Sequence, residues 1–178
     1  MVGITNTKET NNKAVEKLAA KYKIKVIGEP NMLLGMHITC DYENHIIRLS
    51  QAHYIKQMLR EFGMEDANAV STPMNLNVIQ HESRDESVIN EQNGISYATY
   101  IGKLLYAAHA TRPDILYATV TLAQFARNPS QENWTGVKRI LRYLKGTVNF
   151  ALTYGGQGED WEPRLTHYVD ADGGTNPH

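Results

Sequence analysis

Two groups of side chains in this sequence have the types and spacing that chemistry requires. Lys138, Arg142 and Lys145 recur at i, i+4 and i+7, so a helix would align them in one outward basic stripe, with Arg139 alongside. Such a stripe suits a phosphate backbone, because each neutralised phosphate releases condensed counterions. It equally suits the last turns of a surface helix, where cations oppose the negative end of the macrodipole. Asp170 and Asp172, in YVDADGG, leave one face of a strand end and could share a divalent cation such as Mg²⁺. The same D-x-D spacing also marks an ordinary turn. The histidines His37, His45, His53, His81, His109, His167 and His178 are scattered, with no metal-binding helix pair and no serine or cysteine partner, and read as surface or packing residues. Cys40 is the sole cysteine, which excludes an internal disulfide framework and any C-x-x-C zinc site, and makes a reducing, intracellular setting the expectation. Gly35 and Gly102 are places where one backbone can approach another, helix packing being the simpler role for Gly102.

The elements that would position these groups follow from periodicity. A short apolar strand is expected at Met1 to Thr5, then a helix capped by Asn11 or Asn12 with Val15, Leu18 and Ala19 on its apolar side. Tyr22, Ile24 and Val26 alternate with lysines as in a half-exposed strand. MLLGMHITCDYENHIIRLSQ reads as a hairpin, with strands around Leu33 to Thr39 and His45 to Leu49 and a turn at Asp41 to Asn44. Ser50 caps a helix carrying Tyr54, Ile55, Met58, Leu59 and Phe62, which Gly63 stops. Farther on, Tyr97, Ile101, Leu104, Leu105 and Ala108 share one helical face. A second helix starts at a Thr111/Asp114 capping box with Pro113 in its first turn, and runs to Asn128-Pro129. Ser130 caps the third, with Trp134, Val137, Ile140 or Leu141 and Leu144 inward and Gly146 as a left-handed stop. NFALTY and RLTHYVDAD alternate as two final strands.

The fold class this implies is α+β: short strands and a β-hairpin with helices in front, a three-helix bundle behind, and a terminal β-hairpin fragment. The expected organisation is residues 1–64, an acidic linker at 65–92, a helical unit at 93–147, and 148–178. Charge follows the same division. The chain is nearly neutral overall at −1, yet residues 65–92 carry −5 and residues 94–148 carry +5, an asymmetry that points to a polyanion partner for the rear half. The apolar region from Tyr97 to Ala126 is broken by Lys103, Arg112, Pro113 and Asp114, so no membrane span is expected, and the N-terminus lacks a secretory pattern.

In order along the chain, LLGMHIT…IIRLSQAHYIKQMLREFGM, STPM, YIGKLLYAAHATRPDILYA and NWTGVKRILRYLKGT resemble the Pol polyprotein of Ty1/copia-type LTR retrotransposons. The resemblance extends from Met1 to about Asp172. It implies the end of the reverse-transcriptase palm at 1–64, a thumb at 93–147 and the start of an RNase H domain at 148–178. Leu34, Gly35, Met36 and His37 then match the hairpin that grips the primer terminus, and Lys103, Lys138, Arg139, Arg142 and Lys145 become candidate contacts to an RNA/DNA or DNA duplex. Asp170 matches the first metal-binding aspartate of RNase H, although Gly173 replaces a tryptophan common after the second aspartate. The polymerase aspartates would precede Met1, so both ends read as cut and the chain is expected to be catalytically incomplete. It would hold no cofactor of its own, whereas the intact family enzyme uses Mg²⁺. The alternatives are a helical interaction module that self-associates through surfaces exposed by truncation, a decayed relic that binds no nucleic acid, or an enzyme assembled in trans.

Overall fold

The computed structural model of the chain describes residues 7–25, 31–75, 91–92 and 94–156. The expected strand at Met1 to Thr5, the second terminal strand, Asp170 and Asp172 lie outside the described residues. The fold is α+β. Helix α1 (Lys8–Ala19) begins at Thr7, whose hydroxyl accepts the Thr10 N–H at 3.2 Å. That corrects the expected cap: Thr7 has the extended backbone a cap needs, and Asn11 and Asn12 lie inside the helix. Val15 and Leu18 are half-buried and Ala19 is exposed. The strand expected from Tyr22 is absent over residues 22–25, where Tyr22 is 62% and Ile24 42% exposed. Alternation alone did not create a strand there, because no neighbouring strand pairs with those residues.

Strands β1 (Met32–Leu33), β2 (Met36–Asp41), β3 (Ile46–Ser50) and β6 (Leu152–Gly155) form one antiparallel sheet in the order β1-β2-β3-β6. The β1–β2 link is only Leu34 and Gly35, at φ 49° and 75°. Left-handed backbone at both positions matches the twist of a two-residue hairpin, which Gly35 adopts without a Cβ penalty. The β2–β3 turn is held by Asp41, whose carboxylate accepts the Asn44 N–H at 3.1 Å and its side-chain amide at 2.9 Å. Of NFALTY only the last three residues join strand β6, Asn149 to Ala151 lying outside it, and within the described residues its partner is β3, with Ile47 opposite Tyr154 and Leu49 opposite Leu152. A second, two-stranded ribbon pairs β4 (Glu91–Gln92) with β5 (Ile95–Ser96).

The helices α2 (Ala52–Glu61), α3 (Tyr97–Ala110), α4 (Leu116–Ala123) and α5 (Gln131–Gly146) build the core. Gln51, rather than Ser50, is the N-cap of α2, while the Ser50 hydroxyl accepts the Ala52 N–H at 3.2 Å. Gly63, at φ 63°, follows the helix end as expected. Ser130 and Asn133 make a reciprocal capping box on α5. No such box exists at Thr111 and Asp114: a 3-10 turn at Pro113–Ile115 leads into α4, Thr111 donates to Gln51 Oε1 at 2.8 Å, and Asp114 is taken by Arg112. Helix α4 stops at Ala123, short of Asn128, because its end tightens through i→i+3 bonds from Phe125 and Ala126.

Trp134 is fully buried and meets Tyr97 and Tyr100 edge-on, with ring centroids 5.0 and 5.2 Å apart. Ile55, Met58, Leu59 and Phe62 of α2 belong to the same cluster as Leu104, Ile115, Leu122, Val137, Ile140, Leu141 and Leu144. Gly136 permits the α4–α5 crossing, since a Cβ there would lie 2.9 Å from Leu122 Cδ2. Two other glycines differ from expectation. Gly102 has nothing within 4 Å of a built Cβ, so it answers to no close packing. Gly146 is the last residue of α5 and has no left-handed φ; a Cβ there would sit 3.0 Å from that of Ala69.

Because α2 and the rear helices share one core, Leu59→Ala is expected to cost about 2–5 kcal/mol and to lower the midpoint of the entire urea transition followed by tryptophan fluorescence. An unshifted midpoint would mean that α2 unfolds separately from α5.

Candidate nucleic-acid interface

The hairpin side of the candidate interface is positioned by tyrosines. Tyr106 on α3 donates a hydrogen bond to the Leu34 carbonyl, and its hydroxyl lies 3.4 Å from where a Gly35 Cβ would be. The turn is thus docked on the helical bundle beside its glycine, where a Cβ would make only an ordinary contact with the tyrosine hydroxyl. Tyr106 meets Tyr54 edge-on at 5.0 Å, and Tyr54 donates to the Lys103 carbonyl at 3.2 Å. Burial, with the neighbouring Tyr106 and the Glu61 charge, pushes the Tyr54 hydroxyl up to about 12. Lys103 pairs with Glu61 and its Nζ lies 5.7 Å from the centre of the Phe62 ring. Hydrogen bonds from Lys103 and Gln57 hold the Glu61 carboxyl below its ordinary range. Lys103 is therefore gathered with Gly35, but its charge is already matched. Met36 is half-buried, and His37 is exposed with Nδ1 3.4 Å from Thr39 Oγ1. Beside them a shallow hollow of about 480 Å³ is lined by Met32, Gly35, His37, Ser50, Ala52 and His53.

The α5 stripe divides. Residues 64–75 run against α5 as a strap without regular secondary structure, with Met64, Val70 and Met74 packed on the core. Arg142 Nε donates to the Asn68 carbonyl at 2.6 Å, and Arg139 Nη2 donates to Thr72 Oγ1 at 2.9 Å. Both arginines hold the strap, and the stretch read as a linker from residue 65 thus begins as packed structure. Lys138 is exposed and Lys145 half-buried, and neither is ion-paired among the described residues. Among those residues, no hydrogen bond or ion pair joins α5 to the hairpin turn, and no three His, Cys, Asp or Glu side chains cluster to hold a metal ion.

Sequence reasoning counted Arg112 as one more cation, whereas it is 1% exposed. Its Nε and Nη2 grip Asp114 at 3.0 and 2.7 Å, and Nη1 donates to the Thr147 carbonyl at 3.0 Å. Tyr143 donates to Asp114 Oδ2 at 2.8 Å. Burial alone would raise the Asp114 carboxyl, but the hydrogen bonds from Arg112 and Tyr143 and the Arg112 charge outweigh it and hold it below the carboxylate range. Burial, followed by the bond to Asp114, raises the Tyr143 hydroxyl. The available signal was Arg-Pro-Asp two residues before an apolar helix: a cation and an anion in one stiff turn. Tyr54 and Tyr106 gave no sequence signal beyond their aromatic type.

Comparison with known proteins places the chain among transposon sequences. It is 35% identical over 158 residues to the retrovirus-related Pol polyprotein of transposon TNT 1-94 from Nicotiana tabacum, which covers 87% of this chain and 12% of that protein. It is 34% identical over 140 residues to the Pol polyprotein of transposon RE1 from Arabidopsis thaliana, covering 78% of the chain and 9% of the polyprotein. An uncharacterized mitochondrial protein of Arabidopsis thaliana is 30% identical over 152 residues, 85% of the chain and 60% of that protein. The chain thus spans less than two thirds of each. No family model and no solved structure matches it.

The depressed Asp114 carboxyl gives a signed pH dependence. Its stabilisation is complete above the ordinary aspartate value of about 3.9 and is lost as pH falls through the lower folded value. Asp114→Asn is expected to destabilise the protein by about 3 kcal/mol at neutral pH, the low end for a broken buried pair because the carboxylate is partly exposed. It should also flatten the loss of stability as pH falls below about 4. Equal acid sensitivity of both proteins in urea titrations at several pH values would remove Asp114 from that role.

Proposed function

The chain belongs to the Ty1/copia-type Pol family of retrotransposons, and we propose that within that polyprotein it is the part of the reverse transcriptase that holds the template-primer duplex. The observation that carries this reading is the docking of the Leu34–Gly35 turn on α3 by Tyr106, which makes the hairpin and the helical bundle one body. A duplex gripped at its primer end by the turn and along its backbone by helices needs these two supports at a fixed separation. Gly35 of the turn with Met36 and His37 at the start of β2 supply the grip, and Lys138 and Lys145 supply cations to phosphates. Arg139 and Arg142 support this surface by holding the strap, and Lys103 by bracing α3 against α2 through Glu61.

In this reading the chain binds and positions nucleic acid, and the carboxylates of two-metal polymerase chemistry belong to other parts of the parent polyprotein. The partner is an RNA/DNA or DNA duplex. A second reading, self-association, draws on one observation: Ile47 and Tyr154 face each other across β3 and β6 while 46% and 54% exposed. An apolar pair on an open sheet favours association. A monomer at high concentration in sedimentation would remove that reading.

Duplex binding is read by fluorescence anisotropy of a labelled RNA/DNA hybrid across a salt series. Lys138→Ala/Lys145→Ala leaves the strap anchors in place and is expected to weaken binding at all sequences and to reduce the salt slope by roughly 2. Absence of binding by the parent chain at low salt would overturn the function, and an unchanged slope in the variant would overturn the assigned surface.

A further inference from the structure

The strap carries a feature that duplex holding does not use. Within Ser71-Thr72-Pro73-Met74, both hydroxyl residues are exposed, and the chain from 68 to 75 has neither helix nor strand. The Thr72 hydroxyl oxygen is the acceptor for Arg139 Nη2 at 2.9 Å. Arg139 Nε is buried and has no hydrogen-bond partner among the described residues. A guanidinium presents its Nε and Nη2 donors as a fixed fork that matches two oxygens of a carboxylate or phosphate. Here one prong is bound by a neutral hydroxyl and the other, among the described residues, is unsatisfied in a buried position, where an unmade bond is costly. An oxyanion attached to Thr72 Oγ1 would give both prongs a charged acceptor. Arg142, one turn farther along α5, adds positive potential beside the same segment while bonded through Nε to the Asn68 carbonyl.

We propose that Thr72 is a phosphorylation site for a proline-directed kinase and that Arg139 receives the phosphate through Nε and Nη2. An exposed, irregular segment can enter a kinase cleft in extended form, and Pro73 selects Thr72 over Ser71, which no proline follows. In the transfer, the Thr72 oxygen forms a bond to the γ-phosphorus of ATP, the bond from that phosphorus to the β-bridging oxygen breaks, ADP leaves, and the hydroxyl proton passes to the kinase's base. The phosphothreonine carries about −1.5 to −2 charge at neutral pH. It tightens the strap on α5 and places that charge on the helix bearing Lys138 and Lys145. Weakened duplex binding after phosphorylation is a further consequence that rests on the proposed function; phosphate docking does not.

The full chain is treated with a mitogen-activated protein kinase and Mg-ATP, alongside Thr72→Val, Arg139→Gln and Arg139→Lys. Intact mass and fragment spectra are expected to show one phosphoryl group on Thr72 and none in Thr72→Val. In ³¹P NMR the phosphate's second ionisation should fall about one unit below its ordinary value near 6. That shift should fall to a small remainder from Arg142 in Arg139→Gln and to an intermediate value in Arg139→Lys, which keeps the charge and loses the fork. Phosphorylation at Ser71 alone, or none, would overturn the site; an unshifted phosphate in the parent chain would overturn its docking on Arg139. Anisotropy of the RNA/DNA hybrid, measured separately, reports on the duplex reading and leaves these two results unaffected.

Discussion

A buried arginine sets the arrangement of this fold. Arg112 is enclosed where the end of α3, the start of α4 and the end of α5 converge, and a charge so placed is tolerated only with its donors satisfied. Asp114 supplies the compensating charge from two residues away, held there by the stiff Pro113 turn. Thr147 supplies its carbonyl and hydroxyl from just beyond α5, and the rings of Tyr143 and Phe150 lie 5.6 and 5.5 Å from the guanidinium carbon. Satisfying one side chain therefore fixes the start of one helix against the end of another. With those ends fixed, α4 and α5 meet where Gly136 admits Leu122.

The same constraint aims the chain into the sheet. Thr147 and Phe150 lie between α5 and β6, so the residues that surround Arg112 also deliver β6 to its place beside β3. The sheet adds no residue to the fully buried core. It is tied to the helices through this exit and, at its other side, by the hydroxyl of Tyr106 on the Leu34 carbonyl. A tight left-handed turn is stiff, and a stiff turn held by a directional bond can position a ligand more accurately than a long loop. That is why Gly35 matters: it takes the left-handed φ of 75° that the turn needs without a Cβ penalty.

Much of this was legible in the sequence where periodicity and capping act locally. The apolar faces of α2, α3 and α5, the Ser130 cap and the β2–β3 hairpin all follow from spacing within one element. What escaped is tertiary. Thr111 and Asp114 have the spacing of a capping box, but a buried guanidinium is a stronger claimant for the carboxylate than a helix N–H, and Gln51 takes the threonine hydroxyl. Gly146 looks like a helix stop by position, and the structure gives it the room required by Ala69 of a strap more than seventy residues earlier in the chain. The pairing of β6 with β3 was not foreseen for the same reason: alternation identifies a strand and is silent about its neighbour.

The candidate site was least legible because charge in a sequence does not say where charge is directed. Residues 94–148 hold seven Lys and Arg side chains, which read together as one polyanion-binding half. In the folded chain Lys103 is matched by Glu61 and Arg112 by Asp114, while Arg139 and Arg142 donate to the strap. Arg127, Lys138 and Lys145 are left without ion pairs among the described residues. Electrostatic affinity for a polyanion follows the phosphates actually neutralised rather than the cations in the chain. In the proposed function the phosphate contacts therefore fall to Lys138 and Lys145, while the arginines, with their fixed forks, fasten the strap to α5.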